Sequence, residues 1–344
     1  MSSSLVQLSP ISGPLDPAHL LRELPILVLY PHSTCNCRCM MCDIWRIKEV
    51  RQIERADLLP HLASLRALGT RWVVLSGGEP LMHDNLRELM ELLREEGIRI
   101  TLLSTGLLLA ANAALVTELV DDVIVSLDGP RETHNHIRRV KDAYEQLANG
   151  VIALRALHTG MKISARSTVQ KSNFRQLPRT VDAARELGMD SISFLAVDAT
   201  STAFNRADAW EEDKQVRVML NHEEVDELEA ILNGMDRGYA EAFESRFIQE
   251  SPAKMRRIVL HFRSALGQAE AVAPRCNAPW VSAVVESDGT VRPCFFHPPV
   301  GNLREQTLAQ VINGDAALRF RTNLKMESDA VCRRCVCSLH YAGR

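Results

Sequence analysis

Between Cys42 and Cys276 the chain has no cysteine over 233 residues. Its nine cysteines fall instead into two groups, four from Cys35 to Cys42 and five from Cys276 onward. Scattered core cysteines do not cluster in this way, so metal binding is the favoured reading. An excess of one charge is missing too. Forty Lys+Arg against 43 Asp+Glu leave a net charge of −3 with His neutral. No basic face for nucleic acid follows from that balance, and pairs such as Arg138-Arg139 and Arg333-Arg334 are too short to alter it. Nowhere does an apolar run approach the ~20 residues needed to span a bilayer. The first 17 residues lack the charged and apolar regions of a signal peptide. Residues 1–23 are therefore expected to be a disordered lead and the protein to be cytoplasmic, where structural disulfides are rare.

What is present allows a sizeable core: 46% of the 344 residues are hydrophobic and 24% charged. The length suggests about two domains. Apolar runs at 26–30, 72–76, 98–103, 123–127, 162–169 and 191–197 each have the length of a buried strand. Helical periods fill the intervals. Leu86, Leu89, Met90 and Leu93 share a face ahead of Gly97, Tyr144, Leu147, Val151 and Leu154 precede Gly160, and Val181, Ala184 and Leu187 precede Gly188. Six βα units in a row imply an α/β fold with a parallel sheet wrapped by helices. They are too few for an eight-fold barrel, so an open or partial (β/α)6 barrel is expected over 24–200.

Residues 201–272 break the rhythm and read as a helical bridge. Val225, Leu228, Ile231, Leu232 and Met235 mark one helix, and 240–266 is helical in pattern with Pro252 interrupting. From 273 to 344 cysteine, proline and turn signals take over. Ser287-Asp288-Gly289-Thr290 reads as a hairpin turn between 281–286 and 290–294.

Cys35, Cys39 and Cys42 follow the first strand with the spacing C-x3-C-x2-C. Four thiolates would close a four-iron cube, whereas three leave one iron open for a substrate or cofactor. A structural zinc site using Cys37 as a fourth ligand is the competing reading, although such sites usually need two separated pairs. Spacing alone leaves both open. Gly77-Gly78-Glu79-Pro80 ends the second strand, where two glycines let backbone approach a ligand closely. Ser126-Leu127-Asp128-Gly129-Pro130 ends the fourth, and Ser104-Thr105-Gly106, a turn or a ribose contact, ends the third. Parallel barrels build their sites at these strand ends.

These motifs resemble the radical S-adenosylmethionine superfamily. The resemblance implies that Cys35, Cys39 and Cys42 hold a [4Fe-4S] cluster with an open iron. Gly77, Gly78, Glu79 and Pro80 would hold the amino group of S-adenosylmethionine, with Ser126 and Arg166 on its carboxylate. The family usually has an aromatic residue just before the last cysteine, near the adenine. This chain has Met41, whose thioether can pack on a purine.

The second cysteine group, with Gly289-x4-Cys294 and Cys332-x2-Cys335, is compatible by spacing with zinc or iron–sulfur. It resembles the SPASM/Twitch auxiliary domain in its short Twitch form, including Gly301-Asn302-Leu303 and the helix after it. The resemblance implies one auxiliary [4Fe-4S] cluster on Cys276, Cys294, Cys332 and Cys335. Cys337 would replace Cys335, donate a hydrogen atom or do nothing. The implied reaction is reductive cleavage of S-adenosylmethionine to a 5′-deoxyadenosyl radical that takes a hydrogen atom from a substrate. A reductant such as flavodoxin or ferredoxin would supply the electron. An auxiliary cluster with four cysteine ligands would accept an electron, giving a net oxidation. No catalytic residue is assigned. A small-molecule natural product or cofactor precursor is the expected substrate, a peptide the alternative, and a non-enzymatic zinc protein the rival from another class.

Overall fold

The computed structural model describes residues 19–158 and 160–343. The expected lead at 1–23 therefore lies largely outside the described residues. Six parallel strands follow the six apolar runs. They are β1 (Ile26–His32), β2 (Trp72–Gly77), β3 (Arg99–Ser104), β4 (Asp122–Ser126), β5 (Lys162–Val169) and β6 (Ser191–Ala196). Val73, Leu75, Ile100, Leu102, Val123, Val125 and Ile163 are fully buried. These positions form one buried face, while apolar residues of the other face such as Leu103, Ile124 and Leu195 line an interior cavity, so the strands read as near-continuous apolar runs. Helices Leu86–Glu95, Ala143–Leu157 and Leu177–Glu186 occupy the expected intervals.

Neighbouring strands are hydrogen-bonded in the order β6-β5-β4-β3-β2-β1-β7-β8-β9. The last three are β7 (Ser282–Val285), β8 (Thr290–Arg292) and β9 (Gly301–Asn302). β7 lies parallel to β1 with Ile26 opposite Ser282 and Leu29 opposite Val285. β8 turns back antiparallel on β7. The cysteine-rich region thus continues the core sheet on the side of β1. The first cysteine group follows the carboxyl end of β1, whereas Cys276 precedes β7 and Cys294 follows the returning β8.

The bridge contains helices His222–Gly238, Ala240–Glu244 and Pro252–Ala265, besides the short turn Glu212–Gln215. The break expected at Pro252 is the gap at 245–251, and Pro252 itself opens the next helix. That placement is natural, because proline lacks the N–H that the first turn leaves unpaired. The gap covers the β6 edge. Ile192 N–H donates to Phe247 O at 2.7 Å and Phe194 N–H to the Glu250 carboxylate at 2.8 Å. An edge strand with its donors satisfied is no longer a template for aggregation.

Candidate cofactor site

The loop after β1 carries the first cysteines and is gripped from two sides. On one side the end of helix Arg131–Arg138 accepts from it. Arg38 N–H donates to Arg138 O and Met40 N–H to Ile137 O, both at 3.1 Å. On the other side the segment after β6 wraps it. Arg206 Nη2 donates to Met41 O at 2.8 Å and Asn205 Nδ2 to Asp43 O at 3.2 Å, while Asp43 N–H donates to Phe204 O at 3.2 Å. Phe204 and Asn205 have φ of 61° and 63°. Left-handed backbone at a bulky residue is uncommon and needs such surroundings to hold it.

Gly78 shows how closely the next loop approaches. A Cβ there would stand 2.0 Å from Thr34 O, a backbone atom. Gly77 has φ of 101° and faces the Tyr30 side chain. Neither position accepts a side chain without moving the chain. Glu79 is fully buried and its carboxylate is occupied. It accepts from Thr105 N–H at 2.6 Å, Thr105 Oγ1 at 2.7 Å, Ser104 Oγ at 3.0 Å and Leu81 N–H at 3.2 Å. Burial raises its pKa and these bonds oppose the rise. Glu79 therefore fastens the end of β2 to the end of β3, and the ligand-facing groups of this loop are the backbone of Gly77 and Gly78.

One cavity of ≈ 210 Å³ gathers most of the candidate residues. Cys35, Cys39, Met41, Cys42, Gly77, Gly78, Ser126 and Arg166 all line it. Cys37, Glu79 and Pro80 are not in its lining. Ser126 and Arg166 are direct partners in the β4–β5 register, so both present side chains at one height. The Arg166 Nε donates to Ser193 Oγ at 3.3 Å, and its side chain is otherwise exposed. Ser104 and Thr105 line the cavity too, with their hydroxyls turned to Glu79.

The thiols of the first group differ electrostatically. Cys37 hydrogen-bonds toward the Cys35 and Cys39 sulfurs, which drives its own pKa far up. The same bond from Cys37, with the Arg138 guanidinium, brings Cys39 down to about 7 against the burial that opposes it. Burial and Cys39 push Cys42 up to about 12. Three thiols line the cavity and the fourth is buried outside its lining, which fits a cluster held at three corners.

The second cysteine group converges as well. Cys276, Cys294, Cys332 and Cys335 line a cavity of ≈ 30 Å³ with Phe296, His297 and Val331. Cys337 is exposed and absent from that lining, and its carbonyl accepts from Cys335 Sγ at 3.3 Å. Burial pushes Cys294 up to about 11 and Cys332 up to about 12. Asp329 caps the chain at Cys332 by accepting its N–H at 2.8 Å. The four thiols suit a four-thiolate cluster.

Sequence reasoning missed several residues at the first cavity. Tyr30, Arg138, Asp198, Phe204 and Phe295 line it. Arg138 had a usable signal, because His134 and Arg138 are four apart on one helix and follow the quoted Asp128. Phe204 and Phe295 come from segments distant in sequence whose rings meet at 4.8 Å, and no local pattern announces that.

Comparison with known proteins agrees with this architecture. The Radical SAM superfamily model matches residues 29–169, and an iron-sulfur cluster-binding domain model matches 276–336. Residues 29–169 thus match a radical SAM domain and 276–336 an iron–sulfur cluster-binding domain. Fe-coproporphyrin III synthase of Methanosarcina barkeri is 34% identical over 193 residues, covering 52% of this chain and 46% of that protein. Pre-heme d1 synthase of Dinoroseobacter shibae is 27% identical over 173 residues, covering 48% and 42%. This chain thus spans under half of the length of these curated relatives. Among solved structures, anSMEcpe with bound AdoMet shares the fold at TM-score 0.63 and 19% identity, covering 90% of this chain and 88% of that one. Streptococcus suis SuiB with S-adenosylmethionine does so at 0.62 and 16%, covering 93% and 74%. Both matched domain models support iron–sulfur over the structural zinc that spacing alone left open. No helix among the described residues is long and apolar enough to cross a membrane.

Proposed function

We propose that Cys35, Cys39 and Cys42 hold a [4Fe-4S] cluster with an open iron and that S-adenosylmethionine occupies the ≈ 210 Å³ cavity beside them. The backbone of Gly77 and Gly78 would receive its amino group. Ser126 and Arg166 would take its carboxylate, and Met41 would pack near its adenine. Glu79 and Pro80 support that backbone from behind. The observation that carries this reading is the shared cavity lining, which unites residues from all six core strands and the loops after them. When bound, these groups supply reductive cleavage of S-adenosylmethionine to a radical that removes a hydrogen atom from substrate. The protein's part is to orient the cofactor and keep water from it.

The core at 24–200, the bridge at 201–272 and the auxiliary unit at 273–344 are part of the same proposal. One auxiliary [4Fe-4S] cluster would sit on Cys276, Cys294, Cys332 and Cys335. A second cavity of ≈ 510 Å³ adjoins the first and shares Tyr30, Ile44, Gly77, Gly78, Phe204 and Phe295 with it. That cavity would admit the substrate. A small-molecule cofactor precursor is the class favoured, and the relatives named for heme and heme d1 synthesis support it. A flavodoxin or ferredoxin would supply the electron in the cytoplasm.

Anaerobic reconstitution should give about eight irons per chain, from two four-iron clusters. Reduced protein should form 5′-deoxyadenosine. Cys39→Ala should abolish that formation while Cys37→Ala keeps it. A dead Cys37→Ala variant beside an active Cys39→Ala would overturn the ligand assignment.

A further inference from the structure

Arg138 is a buried cation aimed at a candidate cluster ligand. Its side chain is 9% exposed, and its Nη1 donates to Cys39 Sγ at 3.5 Å. Its Nη2 lies 2.6 Å from the Asp128 carboxylate, whose side chain is 0% exposed. Taking a guanidinium out of water is costly unless the fold compensates it. The compensation here is built with care. Asp128 is fixed by four contacts, since its N–H donates to His134 Nδ1 at 3.2 Å and its Oδ1 accepts from Thr168 N–H at 3.0 Å. Its carbonyl accepts from Asn173 Nδ2 at 3.0 Å, and its other carboxylate oxygen faces Arg138. The pair is thus a held dipole whose positive end meets the sulfur.

Loop fastening does not require that side chain. The carbonyls of Ile137 and Arg138 already hold the cysteine loop through its backbone, and they remain whatever side chain stands at 138. The guanidinium therefore has a different job. Hydrogen bonds and charge at a ligating sulfur set the reduction potential of an iron–sulfur cluster, because a nearby cation favours the state with the extra electron.

We propose that Arg138, oriented by Asp128, is a positioning residue that raises the reduction potential of the cluster on Cys39 and so lets a physiological donor reduce it. This rests on the cofactor reading above. The test is a potentiometric titration of the reconstituted full chain, following the electron paramagnetic resonance signal that changes when S-adenosylmethionine is added. That response singles out the open-iron cluster from the auxiliary one. Arg138→Met should move its midpoint to more negative potential, and Arg138→Lys should move it less. Asp128→Asn leaves the cation uncompensated and should move it to more positive potential. Shifts of opposite sign at 138 and 128 are the signature of electrostatic control, which a structural role would not produce. Parent-like midpoints in both variants, or shifts of the same sign, overturn the proposal. If Arg138→Met fails to load iron, the sign of the Asp128→Asn shift decides alone, a zero or negative shift overturning it. Parent protein without a signal that responds to S-adenosylmethionine would overturn the cofactor reading instead, so the two failures are distinct.

Discussion

His134 stands behind this network as a neutral buried base. Burial, and then the Arg138 charge, push its pKa down to about 3 from an ordinary 6.5. Its Nδ1 accepts from Asp128 N–H, so Nε2 carries the proton, and that atom has no hydrogen-bond partner among the described residues. A depressed imidazole pKa means that the unfolded chain binds a proton that the folded chain refuses. Its contribution is complete above pH 6.5 and is lost as pH falls toward 3. Between pH 7 and pH 5 the loss from this one group is about 2 kcal/mol. His134→Gln keeps an acceptor for Asp128 N–H but does not titrate. Its stability should fall by about 2 kcal/mol less than the parent's over that interval, read by urea unfolding of reduced, iron-free protein. Equal falls in parent and variant would acquit His134. No local pattern in the sequence marks His134. Its role follows from complete burial, which is a tertiary fact. Cys35, Cys39, Cys42, Gly77 and Gly78, by contrast, were readable because ligand spacing and glycine's steric freedom are local chemistry.

Elements were legible where burial leaves a mark on composition. β1 to β6 each bury one face and line the interior cavity with the other, so six apolar runs announced them. The turn at Gly289 was legible too, and its position is demanding. Gly289 has φ of 85°, and a Cβ there would meet Asn302 Oδ1 at 2.6 Å. Its carbonyl accepts from Leu303 N–H at 2.8 Å, which locks β8 and β9 together. Gly289→Val would force a β-branched residue into left-handed backbone and into Asn302. The hairpin carries Cys294, so the variant should retain about four irons where the parent holds about eight. The resonance signal that responds to S-adenosylmethionine should persist. Iron analysis with that spectrum checks it, and a full iron complement in the variant would sink the idea. What remained hidden was the pairing of β7 with β1. Parallel strands about 250 residues apart leave no periodicity that names a partner, and the register is settled only by long-range packing.

At the scale of the molecule that hidden pairing determines what the two cavities share. Because β7 lies beside β1, the chain just past Cys294 reaches the mouth of the core. Phe295 packs against Tyr30 at 6.2 Å and Phe204 at 4.8 Å between ring centroids. These rings, contributed by the core, the segment after β6 and the cysteine-rich region, line both the cofactor cavity and the larger cavity beside it. A reactive radical is useful only where solvent and stray hydrogen donors are excluded. Aromatic rings bordering the passage where the two cavities meet serve that need. Phe295→Ala should lose less than the roughly 1.5–3 kcal/mol of a fully buried apolar side chain, because this ring is only half-buried. It should keep its iron and its affinity for S-adenosylmethionine, since neither depends on that ring for a ligand. With dithionite and no substrate it should form 5′-deoxyadenosine faster than the parent, because a ring bordering that passage is gone. Deuterium from carbon-deuterated buffer components should enter the product to a greater extent. Parent-like rates and isotope content, in a variant with normal iron, would show that closure of the site comes from elsewhere than the seam between core and cysteine-rich region.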